Sequence, residues 1–155
     1  KYDVTLDRSV LINDKMLAKR EAKTILIVDD SAFIRKMIEN TLRSAGYNII
    51  TAKDGGDALE MLMEFESLAE QDNASISDCV SAVITDVEMP RMDGMHLVKR
   101  LRESKAYQQM PIVMFSSLMS EDNRTKAMAL GANDTITKPE IGRMVGMIDK
   151  YVFEE

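Results

Sequence analysis

The chain has one cysteine, no tryptophan, one histidine and no apolar run of membrane-spanning length. Cys79 has no partner for an internal disulfide, and no signal peptide or long apolar segment is present, so the expected setting is a reducing cytoplasm without membrane insertion. Basic residues are in the minority: 20 Lys and Arg against 26 Asp and Glu give a net charge of −6. That balance argues against binding nucleic acid or an anionic membrane through bulk charge. What is abundant is apolar and charged side chains together, 45% and 30% of 155 residues, the composition of about one globular domain with a full core. Thirteen methionines point to a plastic core or partner surface.

From Lys23 onward, short β-branched runs alternate with amphipathic stretches, the pattern of βα units around a parallel sheet. Thr24–Val28 is almost unbroken in apolar character, as a strand buried on both faces should be. Ser31 suits a helix cap ahead of Ile34, Met37, Ile38 and Leu42, with an end near Gly46. Tyr47–Ala52 reads as the second strand, followed by a helix capped by Asp54 that turns Leu59, Leu62, Met63 and Phe65 inward. Glu66–Asp78 lacks periodicity and reads as a long connection to a third strand, Val80–Thr85. Met89–Gly94 is a loop into a helix carrying Leu97, Val98 and Leu101; Ile112–Phe115 is strand four; Ser120 and Gly131 bracket a short helix. Thr135–Thr137 is strand five, and Pro139 opens a last helix with Ile141, Met144, Val145, Ile148 and Val152 on one stripe. Residues 1–22 fall outside these five units and read as a linker or the tail of an upstream domain, with 23–155 as the main domain. The first residue, Lys1, suggests a piece of a longer protein.

Five polar residues end these apolar runs: Asp29 and Asp30, Asp86, Ser116 and Lys138. Parallel strands would gather them at the carboxyl edge of one sheet, where open α/β sheets place their sites. Three carboxylates there suit Mg²⁺, a hard cation that takes oxygen ligands and keeps several waters. Asp30 and Asp86 would be direct ligands, and Asp29 would act through water or by its charge. Clustered carboxylates repel one another, so at least one should titrate high. Asp86 is the best nucleophile, able to accept a phosphoryl group as an acyl phosphate; Lys138 and the metal would neutralise the moving charge, and Ser116 would donate to a phosphate oxygen.

The motifs VDDS (Val28–Ser31), ITDVEMPRMDG (Ile84–Gly94), PIVMFSS (Pro111–Ser117) and GANDTITKP (Gly131–Pro139) together resemble the receiver domain of bacterial response regulators, over Lys23 to about Phe153. That resemblance implies a CheY-like, flavodoxin-like (βα)5 fold with strand order 2-1-3-4-5. It also implies phosphorylation of Asp86 by a histidine kinase, with Mg²⁺ held by Asp30, Asp86 and the backbone carbonyl of Glu88. Residues 2–23, YDVTLDRSVLINDKMLAKREAK, resemble the junction in CheV-type chemotaxis coupling proteins, where a CheW-like scaffold domain precedes a receiver. A CheA-type kinase and chemoreceptor arrays are the implied partners.

Two positions depart from the receiver pattern. Thr135 stands where an aromatic switch residue is common, so the aromatic part of that switch cannot operate. Leu118, two residues after Ser116, cannot orient an attacking water, which leads to the expectation of a long-lived acyl phosphate. His96 lies in the third helix beside Leu97 and Val98 and reads as a surface residue, not a phosphodonor.

Three other readings stay open on sequence. A haloacid-dehalogenase-type phosphotransferase would need Glu88 as general acid and a cap domain. A flavodoxin-like electron carrier would need a Ser/Thr/Gly-rich loop where DDSAFIRK stands. An interaction module without signalling would not need all five site residues. A receiver that is not itself an enzyme would act through protein contacts, for which the fourth helix, fifth strand and fifth helix are usual; Met128, Thr135, Arg143 and Met147 lie there.

Overall fold

The computed structural model describes residues 15–153 except Pro90 and Leu118. The expectations placed on residues 1–14 and on Leu118 therefore lie outside the described residues. Five strands, β1 (Thr24–Val28), β2 (Asn48–Ala52), β3 (Ala82–Asp86), β4 (Ile112–Ser116) and β5 (Asp134–Thr137), form one parallel sheet in the order β2-β1-β3-β4-β5. This is the expected flavodoxin-like arrangement.

The unbroken apolar runs follow from the two-residue period of a strand. Leu26, Val28, Val83, Ile112 and Met114 face one layer, and Ile25, Ile27, Ile84, Val113 and Phe115 face the other. Helices α2 (Ala32–Ser44) and α7 (Met144–Phe153) cover the second face with Ile38, Leu42, Met144 and Ile148. Helices α3 (Gly55–Gln71), α5 (Gly94–Glu103) and α6 (Glu121–Leu130) cover the first with Ala58, Leu62, Leu97, Val98, Leu101 and Ala127.

The expected caps Ser31, Asp54 and Ser120 are found, and Asp93, read from sequence only as part of a loop, is a fourth. Ser31, Asp54, Asp93 and Ser120 each accept a backbone N–H from the first turn of the helix that follows. Gly131 ends α6 with φ of +117°, a left-handed conformation that favours glycine.

Three details differ from the sequence reading. The long connection expected over Glu66–Asp78 is mostly helical: α3 continues to Gln71, and a short helix, α4 (Ile76–Cys79), follows. Ser75 and Asp78 form a capping box for α4, and Ile76 plugs the core. Met63 points to solvent, while Met61 packs on the core. Between β5 and α7 the chain runs as a 3-10 segment (Lys138–Arg143), with a non-helical kink at Glu140. Ahead of β1, residues 15–21 are helical (α1).

Candidate functional site

Each site residue sits at a strand's carboxyl end because its strand stops there. Asp29 follows β1 and Asp86 ends β3; Ser116 ends β4, and Lys138 follows β5. Together Asp30, Asp86, Glu88, Met89, Ser116, Ser117 and Lys138 line a cleft of about 490 Å³. All five residues expected from sequence are brought together.

Local bonds hold the parts in place. Asp29 Oδ1 accepts the Ser31 N–H at 2.8 Å, which ties the carboxylate to the start of α2, and Arg35 donates to the Asp29 carbonyl at 2.6 Å. Asp86 Oδ1 accepts the Val87 N–H at 2.8 Å. Gly94 N–H donates to the Val87 carbonyl at 2.7 Å and closes the loop after β3. At Gly94 a Cβ would stand 2.0 Å from the Asp86 carbonyl oxygen, so only glycine lets α5 start this close to the acceptor. On the outer side of that loop, Arg91 reaches Asp54, Asp57 and Glu60 at 3.4, 2.9 and 3.5 Å. Gly55 N–H also donates to the Met92 carbonyl.

Lys138 Nζ lies 3.3 Å from Asp86 Oδ2 and 3.4 Å from Asp29 Oδ2. The Asp29 oxygen is otherwise buried without a hydrogen bond. Burial, then the charge of Asp29, hold the Asp86 carboxyl above the usual range; Lys138 and the Val87 N–H oppose this without cancelling it. Burial pushes the Lys138 ammonium down, but Asp29 and Asp86 outweigh it and raise it. One ammonium thus serves two nearly buried carboxylates, with the exposed Asp30 beside them.

Carboxylate oxygens of Asp29, Asp30 and Asp86 all lie within 4.8 Å of one another, a group able to hold a metal ion. Its all-oxygen donors, the under-served Asp29 oxygen and the raised Asp86 fit a hard divalent cation. Glu88, expected to offer its backbone carbonyl, lines the same cleft. Met89 and Ser117 were not singled out from sequence as site residues. They share the loops of Glu88 and Ser116, and neither residue type signals a site alone.

The model of the response regulator receiver domain matches residues 25–149. The chain belongs to this family. Among its relatives, the receiver is 34% identical over 116 residues to a chemotaxis protein CheY homolog of Campylobacter jejuni, covering 74% of this chain and 80% of that protein. Among solved structures, CheY4 of Vibrio cholerae matches with a TM-score of 0.68 and 31% identity, over 83% of this chain and 98% of that one. The signal receiver domain of a histidine kinase from Syntrophus aciditrophicus matches with a TM-score of 0.70 and 26% identity, over 85% and 91%. The chain is thus a receiver domain of two-component signalling, a class whose partners are histidine kinases.

Thr135 is 5% exposed and its Oγ1 has no hydrogen-bond partner among the described residues, so it is not part of an exposed contact face. Met128 and Arg143 are exposed, and Met147 is half-buried against the core. His96 is exposed on α5, as expected. Among the described residues no helix is long and apolar enough to cross a membrane.

Proposed function

We propose that this receiver accepts one phosphoryl group on Asp86 with Mg²⁺ bound, and uses it to regulate protein contacts in chemotaxis signalling. The observation that carries the reading is Asp86 itself, a nearly buried carboxylate at a strand end with its Oδ2 beside the Lys138 ammonium.

The Asp86 Oδ2 attacks phosphorus and forms an O–P bond. The bond from phosphorus to the donor breaks, and the donor atom leaves with the electron pair: the imidazole nitrogen of a phosphohistidine, or the acetate oxygen of acetyl phosphate. Lys138 stays protonated and pairs with the oxygens of the incoming group, while the Ser116 hydroxyl donates to another. Asp29, Asp30, Asp86 and the carbonyl of Glu88 would hold Mg²⁺, which would supply positive charge to the phosphoryl oxygens. The chain is a stoichiometric acceptor, not a turnover catalyst. Leu118 offers no acid or amide to orient water, so the acyl phosphate is long-lived.

A CheA-type kinase as donor and a CheV-type setting, with a CheW-like domain preceding the receiver, are the finer reading. Support comes from the resemblance of residues 2–23 and from the chemotaxis name of the Campylobacter relative.

Incubation with acetyl phosphate, with and without Mg²⁺, followed by intact mass, tests this. Metal-dependent gain of one phosphoryl group in the parent protein, lost in Asp86→Ala, is expected. No gain, or an equal gain in the variant, overturns the reading.

A further inference from the structure

The segment ahead of β1 is fastened to the turn between α2 and β2 and to α7. Arg20 on α1 places Nε 2.9 Å from Asp149 Oδ1 and Nη2 2.5 Å from Oδ2, a bidentate pair between groups 129 positions apart. Its Nη1 donates to the Ala45 carbonyl at 3.1 Å, so all three guanidinium nitrogens are engaged. The hydroxyl of Tyr47 donates to the same Asp149 at 2.5 Å, and the Tyr47 ring stacks on Phe153 with 6.5 Å between centroids. A separate tie runs from Asn48 Nδ2 to the Glu21 carbonyl at 2.7 Å.

Backbone shape matches these bonds. Gly46 has φ of +112°, and a Cβ there would stand 3.2 Å from Leu17 Cδ2 and from the Leu17 carbonyl oxygen. Glycine thus serves the turn between α2 and β2 twice, by its conformation and by letting α1 approach.

An exposed ion pair between flexible side chains would add little. Here the Arg20 and Asp149 side chains are only 15% and 20% exposed, the geometry is bidentate, and both carboxylate oxygens are used. Such planar, pre-organised pairing is the kind that fixes orientation.

We propose that α1 is a rigid joint on the receiver, not a tether. Residues 15–21 pack on the α2–β2 turn and on Asp149 of α7. The chain therefore enters β1 along a fixed direction set by its contacts with the α2–β2 turn and α7. The helix that α1 grips, α7, continues from the segment that begins at Lys138, one of the residues lining the phosphoacceptor cleft.

Hydrogen exchange on the full chain tests the joint, with the β1 amides as an internal reference. In the parent protein the amides of Lys19 to Glu21, the ones with carbonyl partners inside the helix, should exchange at least about tenfold slower than in an unstructured chain. Arg20→Ala should abolish that protection and leave the β1 amides strongly protected, exchanging no more than about fivefold faster, and Arg20→Lys should fail to restore it, because an ammonium cannot make the fork. Unprotected amides in the parent overturn the proposal. So does protection that survives Arg20→Ala. Loss of protection in β1 as well would also overturn it, since the clasp would then be part of the folding core, not a joint on it.

Discussion

Lys138 Nζ stands 3.3 Å from Asp86 Oδ2, and the same ammonium must also serve Asp29 at 3.4 Å. In the metal-free protein the carboxylates are therefore in excess over the cation that neutralises them. Asp86→Asn removes one negative charge and keeps an acceptor for the Val87 N–H. Metal-free Asp86→Asn should be more stable than the parent at neutral pH by about 1 kcal/mol, a typical single-substitution effect. Urea unfolding with a chelator present measures this; a less stable variant would show that the carboxylate cluster is not repulsive.

Metal affinity should follow the raised titration of Asp86. A metal ligand must be deprotonated, so protons compete with the cation. As pH falls through the Asp86 pKa, which lies above the usual carboxylate range, Mg²⁺ affinity should drop about tenfold per pH unit for one competing proton. Calorimetric titrations across the acidic range check it. A flat profile down to the ordinary aspartate range would place the metal elsewhere.

Gly94 packs against the acceptor's own backbone. In Gly94→Ala the new methyl would meet the Asp86 carbonyl oxygen at 2.0 Å and Met114 Cε at 2.7 Å. Overpacking of this kind costs about 1–3 kcal/mol, and here the strain falls on the phosphoacceptor loop. Both stability and the rate of phosphoryl uptake should fall. Unchanged uptake with lowered stability would mean that the loop relaxes without moving Asp86.

The clasp at Asp149 has a defined pH range. Burial alone would raise this carboxyl, but hydrogen bonds from Arg20 and Tyr47 outweigh it and lower its pKa. A depressed folded-state pKa adds stability at pH above the unfolded value of about 3.9, and that stability is lost as pH falls through the folded value. Arg20→Ala should therefore be less stable than the parent by about 1 kcal/mol at neutral pH, a figure that allows for solvent screening of a partly exposed pair. The difference should close below the ordinary carboxylate range. Denaturation midpoints at a series of pH values read it; a gap that persists into strong acid would assign the loss to packing instead.

Much of this was legible in sequence for identifiable reasons. Strands buried on both faces leave runs such as Thr24–Val28, and a polar residue closing each run marks the sheet's carboxyl edge, so fold and site were read together. Period and caps were less informative where burial is shallow. Met63 shares a helix with Leu62 but lies on the solvent side, and at the end of α3 the polar Glu66, Ser67, Glu70 and Gln71, with an exposed Leu68, conceal its helical period. The Arg20–Asp149 pair was invisible, because no local pattern connects residues 129 apart. Thr135 was read as a missing switch residue, and only its burial shows that it is also no surface contact.

The most direct measurement is to treat the protein with acetyl phosphate and Mg²⁺, reduce with borohydride, and map the product by peptide mass spectrometry. Reduction converts an aspartyl phosphate to homoserine, so the modified position is marked covalently. Homoserine at position 86 alone is the predicted result. Homoserine at position 29 or 30, or none in protein that has gained a phosphoryl group, would contradict Asp86 as the acceptor.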